Sequence, residues 1–315
     1  MRKSKKSNKR MFLFLLPVLL TVFVSGCTQG GGTGGNGVVI NAFAPDFPQL
    51  HSNEKVSLQL EVQNMGDMKA TNVEAELTGI NPNEWGTFDE NPTLGDLIAA
   101  DRESGVQGAT RNYYWNELRA PDLVKGTQFT YTPQARVSYD YTTIAQKPIT
   151  IVDQDELRRI MQQGQTLPSK STTYSAGPMV VEIKTGNYVK SSGSGSGQTY
   201  DIFPINIHIE NAEFSSGKSI VQPQGFTSGF FPTDRTYPVD VYIEPPSGTS
   251  FVSSGYGEDC TSFVPVDLFQ GRDIDITCEL EVVDPPNIKQ EGLITVELYY
   301  RYAVDASTSI TVFGG

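Results

Sequence analysis

Little in this chain of 315 residues is equipped for chemistry. It has two histidines, three cysteines and scattered acidic pairs. His208 alternates out of phase with Ile207 and Ile209, which turns it towards solvent. His51 sits in a polar loop. Neither has a nucleophile or a ligand motif beside it, so no catalytic or metal role is expected. The acidic groups are Asp89-Glu90, Asp153/Asp155/Glu156 and Glu258-Asp259. None has the spacing of a calcium-binding loop. Calcium near Asp153 is one reading of the middle group; a capped helix start is the simpler one. Gly30 to Gly37 contains the spacing G-x-G-x-x-G. A dinucleotide fingerprint needs a strand before it and a helix after it, and a strand follows here. The run reads as a flexible tether. No cofactor is expected, and no metal.

The cysteines are more informative. Arg2, Lys3, Lys5, Lys6, Lys9 and Arg10 form a basic start. Met11 to Val24 is apolar, interrupted by Pro17, and shorter than the roughly 20 residues of a membrane span. Val24-Ser25-Gly26-Cys27 follows. This order resembles the lipobox of a secreted lipoprotein. The resemblance implies cleavage before Cys27, a lipid on its sulfur, and an extracytoplasmic protein held to a membrane at its front. An ordinary or uncleaved signal is the alternative. Cys260 and Cys278 then remain as a pair in an exported chain, which reads as one disulfide.

Cleavage would remove six basic residues and take the net charge from −12 to about −18. So acidic a body does not attract nucleic acid or an anionic membrane surface.

The elements that carry these residues are strands. In Lys55 to Leu77, Leu58, Leu60 and Val62 alternate with Gln59, Glu61 and Gln63, and Val73, Ala75 and Leu77 restart the pattern. Asn64-Met65-Gly66 between them is turn chemistry, with Gly66 expected at positive φ. Further strands are predicted at 123–132, 135–143, 149–152, 180–183 and 202–210. Asp153 to Gln163 is the best helix, with Asp153 as N-cap.

Three pieces recur in order. Leu58, Leu60, Val62 and Asn64 return as Ile205, Ile207, Ile209 and Asn211. Leu123, Gly126 and Phe129 return as Leu268, Gly271 and Ile274. Val137, Tyr139 and Tyr141 return as Leu298, Tyr300 and Tyr302. The repeat predicts two related β-domains, each a sandwich with its tyrosine rings inside and their hydroxyls near an edge. The expected layout is signal 1–26, tether 27–37, domain 38–152, helix and linker 153–177, and domain 178–315.

Asn64-x-Gly66, Ala70-x-Asn72-Val73-x-Ala75-x-Leu77 and the Leu-x-x-Gly turn before Phe129 resemble CARDB-type, immunoglobulin-like domains of prokaryotic surface proteins. The second half lacks the Gly after Asn211 and any Ala-x-Asn-Val, and is immunoglobulin-like only. The fold class is therefore all-β, with two tandem immunoglobulin-like antiparallel sandwiches and a short connecting helix. The resemblance implies a non-enzymatic role in adhesion, surface scaffolding or complex assembly at the cell surface or in the periplasm. A structural subunit of a filament, surface layer or export machine is one alternative. A glycan- or solute-binding accessory protein is another. Tyr113, Tyr114 and Trp115 are the candidate binding loop for a protein or cell-surface glycan partner.

Overall fold

Strand β3 (Lys55–Asn64) shows what period-two alternation does here. Val56, Leu58, Leu60 and Val62 are buried, while the residues between them reach the surface in part. β4 (Ala70–Thr78) repeats the pattern. The two strands do not form a hairpin. The turn at Asn64 sends the chain from one sheet to another, and β3 and β4 face the core from opposite layers. This computed structural model describes residues 36–101, 104–192, 201–214, 218–222, 236–252 and 260–315, with Glu117 as backbone only. They belong to one unit, 31–315. The predicted signal, Cys27 and almost all of the tether lie outside them, as do Glu258-Asp259.

The fold is mostly β. β1 (Val38–Pro45), β3 and β6 (Thr110–Arg119) form one antiparallel sheet. β10 (Met179–Lys184), β12 (Ile202–Asn211) and β17 (Asp273–Val282) form a second, extended by β15 (Thr249–Phe251). The largest sheet runs β16 (Phe263–Asp267), β14 (Pro238–Glu244), β18 (Lys289–Ser307), β8 (Gln134–Asp153), β4, β5 (Thr93–Leu97). β9 (Thr173–Tyr174), β11 (Val189–Ser191) and β13 (Ser219–Val221) extend its margins.

This order is palindromic. Six strands correspond between the halves: β1 to β10, β3 to β12, β4 to β14, β5 to β16, β6 to β17 and β8 to β18. The correspondence turns on one residue pair. Asp140 of β8 lies directly opposite Arg301 of β18, flanked by Tyr139 opposite Tyr302 and Tyr141 opposite Tyr300. A local pseudo-twofold axis therefore passes between Asp140 and Arg301.

The halves are thus joined along their longest strands. β8 and β18 are paired from Gln134–Ser307 to Val152–Lys289. β1 lies against β18, and β10 against β8, so each half's first strand packs on the other's central strand. The expected boundary at 152 falls at the end of β8. The C-terminal strand β19 (Ile310–Phe313) returns to the first half, between β2 (Gln49–His51) and β7 (Gln128–Tyr131).

Two pieces of the repeat occupy equivalent places. The third does not: Phe129 lies on β7, paired with β19, whereas Ile274 lies on β17, paired with β12. Gly126 and Gly271 both take positive φ, so the likeness is one of turn chemistry. Gly66 departs from expectation as well. Its φ is not positive; a Cβ there would stand 1.9 Å from the Tyr141 hydroxyl oxygen, so it is glycine for space.

Beyond the short helix α1 (Pro82–Trp85), helix α2 (Gln154–Gln162) forms as predicted. Asp153 caps it by accepting from the N–H groups of Asp155 and Glu156. Leu157 and Ile160 pack on Val152 in a small core of their own.

Candidate functional site

The two faces of the large sheet differ. The inner face carries the four tyrosines, all buried. Their hydroxyls are satisfied well inside the molecule, not near an edge. Tyr139 accepts from the Val38 N–H at 3.1 Å. Tyr141 accepts from the Met68 N–H and donates to the Ala176 carbonyl. Tyr300 and Thr143 share a hydrogen bond of 2.7 Å, and Tyr302 donates to Asn211 Oδ1 at 2.7 Å. Burial pushes the Tyr139, Tyr300 and Tyr302 phenols above their ordinary value.

Asn64 and Asn211, the strand-end residues of the repeat, play matching parts. Each is buried, accepts an N–H two residues on, and donates to two carbonyls. These asparagines hold the turns that carry the chain off β3 and β12.

On the outer face at the axis, Arg301 is only 4% exposed. Its guanidinium donates to Asp140 Oδ1 at 2.8 Å, Glu74 Oε2 at 2.7 Å and Ser138 Oγ at 3.0 Å. An arginine so buried, and paired with two carboxylates of its own sheet, is a structural clamp.

Beside the clamp lies the exposed part. β14, β16 and β18 turn alternate residues outwards, and register sets Tyr242 opposite both Phe263 and Glu297. Asp240 and Glu244 neighbour Tyr242 along its own strand, on the same face. The Tyr242 ring is 4.8 Å from Phe263 and 5.3 Å from Tyr299, centroid to centroid. Tyr242 is 45% exposed and Tyr299 is 43% exposed. Tyr299 Oη donates to Glu297 Oε2 at 2.7 Å, and that carboxylate helps raise the phenol to about 12. Rigid strands thus present three rings and a set of carboxylates to solvent.

The residues singled out in the sequence are placed differently. Tyr113, Tyr114 and Trp115 belong to strand β6, not to a loop. Trp115 is buried and donates from Nε1 to the Asp89 carbonyl at 2.7 Å. Tyr113 stacks edge-on against it, and Tyr114 alone of the three faces outwards. The glycan reading loses the indole it was built on. Cys260 and Cys278 are joined as a disulfide. His51 lies on β2 against Phe313, and His208 is bonded to Asp275. Among the described residues no group of His, Cys, Asp and Glu could hold a metal, and no helix is long and apolar enough to cross a membrane.

Sequence reasoning missed the Phe263–Tyr242–Tyr299 strip. Each ring lies on a different strand, and only register brings them together. No protein-family model matches the chain, and no curated protein matches it.

Proposed function

We propose that this is a lipid-anchored, extracytoplasmic, non-enzymatic protein that assembles with a protein partner at the cell surface or in the periplasm. The observation that carries the binding role is the solvent-facing aromatic strip on the large sheet. Large rings held on rigid strands lose little freedom when covered, which makes them good anchors for a partner. The disulfide fits an oxidising compartment. The anchor rests on the lipobox ending at Cys27. The halves are, in this reading, immunoglobulin-like: each puts three core strands opposite three strands of the shared sheet, and the turn from β16 to β17 crosses between layers.

Two measurements test the proposal. Cys27→Ala should move the protein from the membrane fraction to the soluble one; a variant that resists alkaline extraction would sink the anchor. A photo-crosslinking amino acid placed at Thr295, opposite Glu244 and beside the strip, should capture a discrete partner in the protein's own cells. No capture there, with capture from a control position elsewhere on the surface, would remove the strip from the assembly role.

A further inference from the structure

We infer that the Phe263–Tyr242–Tyr299 strip docks a cationic, Arg- or Lys-bearing segment of the partner protein. The inference rests on the assembly reading above and adds the chemistry of what is bound.

Ring faces are electron-rich and attract guanidinium and ammonium groups. Here they are interleaved with carboxylates: Glu297 opposite Tyr242, and Glu244 two residues along from it. Tyr299 spends its proton on Glu297, so its oxygen offers acceptor capacity outwards. The strip thus presents π faces and acceptors. Three bases on or next to the same sheet are already engaged. Lys69 pairs with Asp96 at 2.6 Å, Arg136 with Asp305 at 2.8 Å, and Arg301 with Glu74 and Asp140.

Other occupants fit less well. A sugar ring stacks on a flat platform, but these rings are inclined at 46° and 83° to one another. An anionic lipid surface would meet carboxylates. A second copy joined through the same face would set Glu244 and Glu297 against their own kind. An extended basic segment meets none of these objections. Its side chains alternate, so one face can lay cations over the rings.

The test uses the full chain in a neutral detergent and a synthetic octapeptide of alternating Arg and Ser, titrated by calorimetry. Saturable binding that weakens with salt is expected. Tyr242→Ala should weaken it about tenfold although no charge is lost. Glu297→Gln should weaken it severalfold, while Glu76→Gln, remote on the same sheet, should leave it unchanged. Circular dichroism checks that each variant is folded. Equal binding by wild type and folded Tyr242→Ala would overturn the inference, since the affinity would then be diffuse charge attraction. Equal binding of a Gly-Ser octapeptide would overturn it too. Either result leaves the crosslinking at Thr295 to decide the assembly reading separately.

Discussion

At the scale of single residues, the centre of the molecule is a set of polar groups that close packing makes unforgiving. Gly66 touches the Tyr141 hydroxyl. Gly66→Ala should destabilise by about 2–3 kcal/mol through overpacking. Adding Tyr141→Phe removes the obstructing oxygen but also its bonds to Met68 and Ala176. The double variant should therefore be less unstable than the two singles added together, which a denaturant cycle would measure. Simple additivity would show that the glycine is there for another reason. The tyrosines give a pH prediction. Folded phenols of Tyr139, Tyr300 and Tyr302 keep their protons where the unfolded chain, with phenols near 10, gives them up. Their contribution is complete below about pH 10 and is lost as pH rises past it, at up to ~1.4 kcal/mol per pH unit per phenol. Phenolate absorbance from these rings should appear in the same step as loss of near-ultraviolet dichroism. A titration finished near pH 10 with the fold intact would contradict this.

At the scale of elements, the two halves solve one problem in two ways. Register makes Trp115 of β6 the counterpart of Cys278 of β17, since Leu58 faces the first and Ile205 the second. The second half ties that position to Cys260, in the stretch ahead of β16, by a disulfide. The first half ties it to Asp89, in the stretch ahead of β5, by the indole N–H. Trp115→Phe keeps most of the ring and loses the bond, and should cost about 1 kcal/mol. Trp115→Ala should cost about 3–5 kcal/mol. Reducing the disulfide should cost about 3 kcal/mol on the loop-entropy account. Thermal melts with and without reductant compare them directly; a reduced wild type that melts unchanged would deny the bridge a structural part. The alternation of β3, the cap of α2 and the cysteine pair were all legible in the sequence, because each depends on neighbours in the chain or on compartment. The length of β8 was not. Pro148 splits it into two predicted strands, yet the ladder to β18 runs on past it. Pro148 falls between the stretches covered by β9 and β11, where among the described residues no strand pairs with the outer edge of β8 and a missing N–H costs least. Nor was β6 legible. Adjacent Tyr113 and Tyr114 blur the period of two, and one ring of the pair faces out.

At the scale of the whole molecule, duplication predicted two domains and the structure fuses them. A sequence repeat reports what each half inherited, not which strand edges the copies share. Because β8 and β18 pair along nearly their whole length, a fragment ending at Asp153 would leave one edge of the 20-residue β8 uncovered and lack β19. Residues 36–165 expressed alone should be unfolded or aggregated by circular dichroism and light scattering. Co-expressed with 166–315 they should recover a folded complex. A well-folded monomeric fragment 36–165 would restore the picture of two independent domains.

The axis also decides how the molecule carries load. The chain enters β1 at Gly37, where a Cβ would crowd the Tyr139 hydroxyl and Pro178. That spot is beside the axis, at the middle of the molecule. β1 also lies against the central strand of the opposite half. A pull applied to Gly37 would therefore be divided between both halves. A tether fixed to one end would instead act as a lever and prise the halves apart. A pull at that point would load the two halves together instead of peeling one from the other.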